Sequence, residues 1–278
     1  MNLKSKTTLD VQGHRGCRGL FPENSLEAFD KAIDLGVNTL ELDIAITEQM
    51  EVIVSHEPFI SRITCYNPAG ETIPDTMDMQ YNLYKMTYEE IKQFDCGTKF
   101  HPSYPDQKKF KTYKPLLSEV FKLAQTKNAD VKFNIEIKSK PEYYGIYTPE
   151  PKKYVEIVLN EIEDANMFNR VNLQSFDLAI LEEIKKQSPE MPIALLIDEY
   201  ENIEYKRSKL TFKPEIISPY YKLLTLKKVN LYHDKNYIII PWTVNEENDM
   251  IKLLEWCVDG IITDYPDKLI ELKQNYGY

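Results

Sequence analysis

Short β-branched runs alternate with amphipathic stretches from one end of the chain to the other. No other feature constrains the fold as much, because this rhythm reads as successive βα units around a parallel sheet. The candidate strands are residues 11–15, 39–47, 132–137, 171–176, 192–197, 215–219, 237–244 and 260–263. The clearest helices cover 25–35, 117–127, 153–164, 178–187 and 246–257, each with apolar residues three and four apart. Asn24-Ser25 followed by Glu27 is a helix start, and Gly36 just past Leu35 a stop. Eight strands with helices between them predict an α/β fold, a closed (β/α)8 TIM barrel. A chain of 278 residues is long enough for such a barrel as one domain, 1–278. The working groups of a barrel collect at the C-terminal ends of its strands.

One run breaks the alternation. Residues 51–56 are β-like, yet too few residues separate them from 39–47 for a parallel crossover. They predict a hairpin from Asp43 to His56 that turns near 48–51. Pairing Thr47 with Val52 sets Asp43 opposite His56 and returns a histidine to the barrel mouth. From 57 to 115 the βα rhythm is lost and Tyr, Pro and Asp accumulate. A long excursion of this kind reads as an inserted subdomain after the second strand, a lid or substrate-covering segment. No repeat or linker divides the chain.

Composition narrows the function. Forty-four acidic against 34 basic residues give a net charge of -10, which disfavours nucleic acid and anionic membrane surfaces as general partners. A small phosphorylated ligand needs only a local cluster of cations. No apolar run approaches the roughly 18 residues of a membrane span, so no transmembrane segment is expected. The first residues, MNLKSKTTLD, lack an apolar signal core. That leaves two placements: cytoplasmic for the chain as it stands, or periplasmic or otherwise exported if a signal peptide has been removed. The four cysteines form no CxxC pair and read as free thiols, with Cys65 and Cys96 the one pair considered for a disulfide.

The chemistry-bearing residues fall at strand ends. Gly13-His14-Arg15-Gly16 closes the first strand, placing a proton carrier and a fixed cation between glycines that allow close approach. Glu41 and Asp43 are two apart on the second strand and share a face, as do Glu136 and Lys138 on the third. Three inward carboxylates form an oxygen-ligand site for one hard divalent cation, Mg²⁺ or Ca²⁺. Taken singly, a strand-end histidine reads as structural and an acidic pair as solvent-facing. Their convergence at the first three strands, with His56 returning, suits phosphodiester cleavage, in which cations hold the charged oxygens and histidines move protons.

His14-Arg15-Gly16, Pro22-Glu23-Asn24-Ser25 with Ala28-Phe29, Glu41-Leu42-Asp43, Thr47 and Val54-Ser55-His56 resemble the signature of the glycerophosphodiester phosphodiesterase family. Glu136-Ile137-Lys138, Gln174-Ser175-Phe176, Trp242-Thr243-Val244-Asn245 and Thr263-Asp264-Tyr265-Pro266 continue it in order over nearly the whole chain. The resemblance implies a metal-dependent hydrolase on a (β/α)8 barrel that releases glycerol 3-phosphate and an alcohol from deacylated phospholipids. By position it implies His14 and His56 as the acid–base pair and Glu41, Asp43 and Glu136 as metal ligands. It likewise implies Arg15 and Lys138 as phosphate contacts. Asn24 is expected to brace the first loop or to serve as a plain helix cap, and Trp242 to wall the glycerol or leaving group or to pack in the core.

Two residues depart from the family pattern. Glu57 stands where an Asp usually follows the second histidine, keeping the charge with a longer reach. Met50 stands where the hairpin turn usually has Gly, implying a turn that needs no positive φ there. His101 and His233 fall outside the constellation and read as exposed or structural. The nearest alternative function is a lysophospholipase D or phospholipase-type phosphodiesterase, which would need apolar surface for an acyl chain, such as Phe59, Met77, Met79 and Leu83 of the insert. A non-catalytic phosphodiester-binding protein would not need both histidines and all three carboxylates. Headgroup, metal identity, the division of acid and base roles, and oligomeric state stay open at this level.

Overall fold

The computed structural model describes residues 8–277; the amino-terminal run read above as lacking a signal core lies largely outside them. The chain forms β1 (Asp10–Gly13), α1 (Leu26–Leu35), β2 (Thr39–Ile46), β3 (Val52–Val54), α2 (Tyr88–Ile91), α3 (Leu117–Thr126), β4 (Lys132–Ile137) and α4 (Pro151–Asp164). It continues through β5 (Val171–Ser175), α5 (Leu178–Gln187), β6 (Ile193–Ile197), α6 (Ile203–Arg207), β7 (Ile216–Pro219), α7 (Leu226–Asp234), β8 (Ile238–Ile239), α8 (Glu247–Glu255), β9 (Gly260–Thr263) and α9 (Pro266–Asn275). The barrel expected from the alternation is borne out. Its parallel strands follow the order β1, β2, β4, β5, β6, β7, β8, with β9 back beside β1 and β3 antiparallel to β2.

The expected strand 237–244 pairs as a strand only at Ile238–Ile239, because Pro241 has no N–H to give the ladder. The chain nevertheless stays extended and closes the barrel. The Asp259 N–H donates to the Ile239 carbonyl (2.9 Å), that of Ile262 to Pro241 (3.0 Å) and that of Val244 to Ile262 (3.0 Å). Helix α1 begins at Ser25, whose hydroxyl accepts from the Ala28 N–H, and ends at Gly36 with φ of 87°. Helices α6, α7 and α9 were not singled out in the sequence: α6 has five residues, and the other two carry weaker apolar stripes.

Strand parity divides the interior. Outward-facing Val11, Leu40, Leu42, Phe133, Ile135, Leu173, Leu195 and Ile217 pack with the helices in the main core. Inside the barrel one half is polar: the Asn134 amide donates to Gln12 (2.8 Å) and Gln174 (3.1 Å), and the Gln174 amide donates to Glu41 (3.0 Å). The other half is apolar, built from Ala194, Ile216, Ile240, Ile262 and Trp242. The mouth therefore inherits a polar and an apolar side.

The hairpin differs from expectation by one residue. Ile44 faces Val54 and Ile46 faces Val52, so Thr47 pairs with Glu51 and Asp43 with Ser55, not His56. The turn explains the slip. Glu48, Gln49 and Met50 form a three-residue loop in which the Met50 N–H returns to the Thr47 carbonyl (3.1 Å) and Met50 takes φ of 63°. The turn is thus closed by a left-handed residue, so the position does require positive φ after all.

The inserted segment has its own small core. Ile60, Cys65, Ile73, Leu83, Tyr88, Ile91 and Phe94 pack on Ala45 and Ile53, the hairpin face that continues the parity of Glu41 and Asp43 above the barrel mouth. Within it Cys65 and Cys96 are disulfide-bonded, which corrects the free-thiol expectation for this pair. The excursion folds back on itself, with the Tyr66 N–H bonded to the Asp95 carbonyl (2.8 Å), and so brings the two sulfurs together. Cys17 is buried and free, Cys257 exposed and free. No helix among the described residues is long and apolar enough to cross a membrane.

Candidate active site

The β1–α1 turn is wound tightly. Arg15, Gly16 and Asn24 all have positive φ, and a Cβ on Gly16 would lie 2.8 Å from that of Ala28. This winding aims the Arg15 N–H at Glu41 Oε2 (3.0 Å) and its guanidinium at Glu23 (2.9 Å) and Asp43 (3.3 Å). Asn24 is not the helix cap, since Ser25 is; its amide donates to Asp43 Oδ2 at 2.9 Å.

Inward parity delivers the rest. Asp43 and Glu136 are register partners on β2 and β4, with Glu41 one inward position below, and the three offer oxygens all within 4.8 Å of one another. Lys138 reaches Glu136 (2.8 Å) and Asp43 (3.8 Å). Among the described residues no lysine or arginine side chain forms an ion pair with Glu41. Burial, compounded by Asp43 and Glu136, raises the Glu41 carboxyl well above its usual range. Burial also acts on Asp43, but Arg15, His56 and Lys138 outweigh it and hold that carboxyl low. Burial lifts Glu136 despite Lys138. Three buried carboxylates, one without a cation, are an oxygen-donor set that suits a divalent ion.

The histidines flank this cluster. His14 Nδ1 lies 2.6 Å from Asp264 Oδ1, while Nε2 is turned toward Glu41 at 3.9 Å. Burial lowers the His14 pKa to about 4 against the pull of Asp264, so the ring is neutral near pH 7. His56 Nδ1 is 2.8 Å from Glu57 Oε1, so the longer Glu folds back onto the neighbouring ring, and Nε2 is 3.1 Å from Lys138 Nζ. Burial would raise the Glu57 carboxyl, but its bond to His56 holds it down to about 2.

These groups share one cavity of about 200 Å³. Its polar wall is His14, Arg15, Glu41, His56, Glu136 and Lys138; its apolar wall is Phe176, Leu196, Trp242 and Ile262. Trp242 is fixed by its indole N–H on the Ser218 carbonyl (2.8 Å) and by an edge contact with Phe176. Of the outlying histidines, His233 bonds Asp259 (2.9 Å), whereas His101 packs on Tyr104 at 4.8 Å, near the margin of the site.

Several site residues escaped sequence reasoning. Gln174 and Asp264 lie inside quoted motifs at inward positions, so parity could have flagged them. Arg18, Tyr104 and the buried Lys114 had no such signal, because the latter two come from the insert. Lys114 acts electrostatically on Glu57.

Comparisons with known proteins agree with this arrangement. The profile of the Glycerophosphoryl diester phosphodiesterase family matches residues 14–268. A glycerophosphodiester phosphodiesterase of Caldanaerobacter subterraneus subsp. tengcongensis is 31% identical across 96% of this chain and 98% of that protein. A lysophospholipase D of Rattus norvegicus is 27% identical across 94% of this chain and 85% of its own length. Among solved structures, a protein of Silicibacter pomeroyi provisionally named glycerophosphoryl diester phosphodiesterase has a TM-score of 0.87 at 28% identity. That likeness covers 98% of this chain and 95% of the other.

Proposed function

The chain belongs to the glycerophosphoryl diester phosphodiesterase family and is a phosphoric diester hydrolase; from that premise we propose that it cleaves water-soluble glycerophosphodiesters to glycerol 3-phosphate and an alcohol, using His14 and His56 for proton transfer and one divalent cation held by Glu41, Asp43 and Glu136. The single observation that carries this assignment is the two-sided cavity, in which both histidines, three cations (Arg15, Arg18 and Lys138) and the carboxylates of Glu41 and Glu136 face an apolar wall that includes Phe176 and Trp242. The bound cation, Mg²⁺ or Ca²⁺, would neutralise phosphate charge.

The protein's own groups account for the proton movements. The attacking oxygen, from water or from the substrate's own 2-hydroxyl, gives its proton to His14 Nε2. A new phosphorus–oxygen bond forms as the bond to the leaving alcohol breaks, and His56 supplies the proton that the departing oxygen takes; where the 2-hydroxyl attacks, the product is a cyclic phosphate, which water then opens to glycerol 3-phosphate with the two histidines in reversed roles. Lys138 now donates to His56 Nε2 and must turn toward the phosphate for that nitrogen to carry a proton. Arg15 and Lys138 contact the phosphate oxygens. Asn24 holds Asp43 in place, and Trp242 walls the apolar side where the glycerol or leaving alcohol rests. Segment 57–115 covers the site edge through Tyr104 and Gln107, whose amide donates to the Arg18 and Phe21 carbonyls.

A soluble substrate is favoured over an acyl-bearing one because Leu83, Met77 and Phe59 of the insert are taken up in packing, leaving Ile63 and Phe100 as its exposed large apolar side chains among the described residues. Leu83 is fully buried in the insert core, Met77 packs on it, and Phe59 meets Tyr147 edge-on. The test is glycerol 3-phosphate release from a panel of glycerophosphodiesters by metal-stripped protein with Mg²⁺ or Ca²⁺ restored. Release only with metal, lost in His14→Ala and His56→Ala by about 10²–10⁴-fold, is expected. Full turnover without either histidine, or activity confined to micellar substrates, would overturn the assignment.

A further inference from the structure

Asp264, at the end of β9, is wholly buried and accepts an unusual number of donors. Its Oδ1 receives His14 Nδ1 (2.6 Å) and Arg18 Nε (2.9 Å). Its Oδ2 receives Arg18 Nη2 (3.1 Å), the Tyr104 hydroxyl (2.8 Å) and the Asn245 amide (2.7 Å). A carboxylate offers about four lone-pair sites, so this one is saturated and has no place for a further proton. Tyr104 is itself a gift of the insert, 160 residues away in sequence. Its ring packs against the Arg18 guanidinium (4.9 Å) and His101 (4.8 Å), and its hydroxyl reaches Asp264.

A neutral imidazole has one N–H and one bare nitrogen, and whichever nitrogen meets an anion keeps the proton. Asp264 therefore stations the His14 proton on Nδ1 and leaves Nε2 bare toward the cavity. We propose that Asp264 and Tyr104 are positioning residues for His14, so that the inserted segment, besides covering the site, holds the proton acceptor in its working tautomer. The inference rests on the assignment of His14 as base. Arg18 and Asn245 lock the plane of the carboxylate, and Tyr104 completes the lock from outside the barrel. When His14 takes a proton, Asp264 remains an anion opposite the imidazolium, as its saturated oxygens require.

The test compares Asp264→Asn, Tyr104→Phe and His14→Ala on a soluble diester at saturating metal, with ¹⁵N-imidazole NMR of His14 as a second readout. In Asp264→Asn kcat should fall by about 10²–10⁴-fold while KM stays within about threefold. Tyr104→Phe, which removes one hydroxyl, should lower kcat by about 3- to 10-fold at unchanged KM. Both should shift the His14 proton away from exclusive residence on Nδ1. Unchanged kcat in Asp264→Asn with an inactive His14→Ala protein would overturn the pairing but leave His14 as base. An active His14→Ala protein would overturn the base assignment itself. Should Asp264→Asn fail to fold, Tyr104→Phe decides, since unchanged kcat with an unchanged NMR spectrum overturns the proposal.

Discussion

Replacing Glu41 with glutamine should move thermal stability in opposite directions with and without a divalent cation. Glu41, Asp43 and Glu136 bring oxygens within 4.8 Å of one another, and two unit charges at that distance repel by about 3 kcal/mol at an effective dielectric constant of about 20. Arg15 lies 3.3 Å from Asp43 and Lys138 2.8 Å from Glu136, whereas Glu41 accepts hydrogen bonds from the Gln174 amide and the Arg15 backbone N–H and, among the described residues, has no lysine or arginine side chain paired with it. The two cations cancel more than half of the repulsion on Glu41, leaving about 2–3 kcal/mol that a neutral side chain removes. The amide has one acceptor oxygen for two donors, and the lost bond costs about 1 kcal/mol. The metal-free variant should therefore gain about 1–2 kcal/mol, a Tm higher by about 2–5 °C for a domain of this size. In cation at about 100 times its Kd the native protein should gain about 2.7 kcal/mol, and the variant, with two ligand carboxylates, much less. The two Tm values should thus change order between chelator and excess Mg²⁺ or Ca²⁺ in scanning calorimetry. A variant that is less stable in chelator yet keeps the full cation-induced rise would refute the view of Glu41 as the unpaired member of a cation site.

Met50→Gly should stabilise the protein by about 0.5–1 kcal/mol in urea unfolding, because relief of a left-handed φ exceeds the entropy that glycine adds to the unfolded chain. Removing the Cys65–Cys96 bond, which spans 31 residues, by a double change to serine should cost about 3–4 kcal/mol, read as a lower unfolding midpoint that reductant no longer shifts. His14 is lowered by burial from 6.5 to about 4, so the folded state binds its proton more weakly than the unfolded state does. Its contribution to stability is complete above pH 6.5 and is lost as pH falls toward 4. The acid limb of kcat/KM should accordingly lie below about pH 5 in a pH–rate profile, and a limb centred on the ordinary histidine value would contradict a buried neutral base.

What could be read along the chain was whatever depends on neighbours in sequence. Strand parity is local, so Glu41 with Asp43 and Glu136 with Lys138 declared their shared inward face, and the helix ends at Ser25 and Gly36 were visible from their chemistry. The alternation of elements was enough for the barrel, because eight parallel strands have few other ways to bury both faces. Register was not local in the same sense. Whether Asp43 faces Ser55 or His56 depended on Met50 accepting a left-handed conformation, a choice that side-chain preference opposes and the paired strands impose.

The contacts that only the folded chain made are those between residues far apart in sequence. The Cys65–Cys96 bond needed the insert to double back, and the Asp264 carboxylate needed barrel closure to meet His14 and Arg18. Tyr104 reached Asp264 only because the insert folds onto the β1–α1 loop. Sequence could decide which groups point inward, since the pleat repeats every two residues. Tertiary structure alone decided which of them touch, since that depends on closing long loops against entropy with cores such as the one built on Ala45 and Ile53.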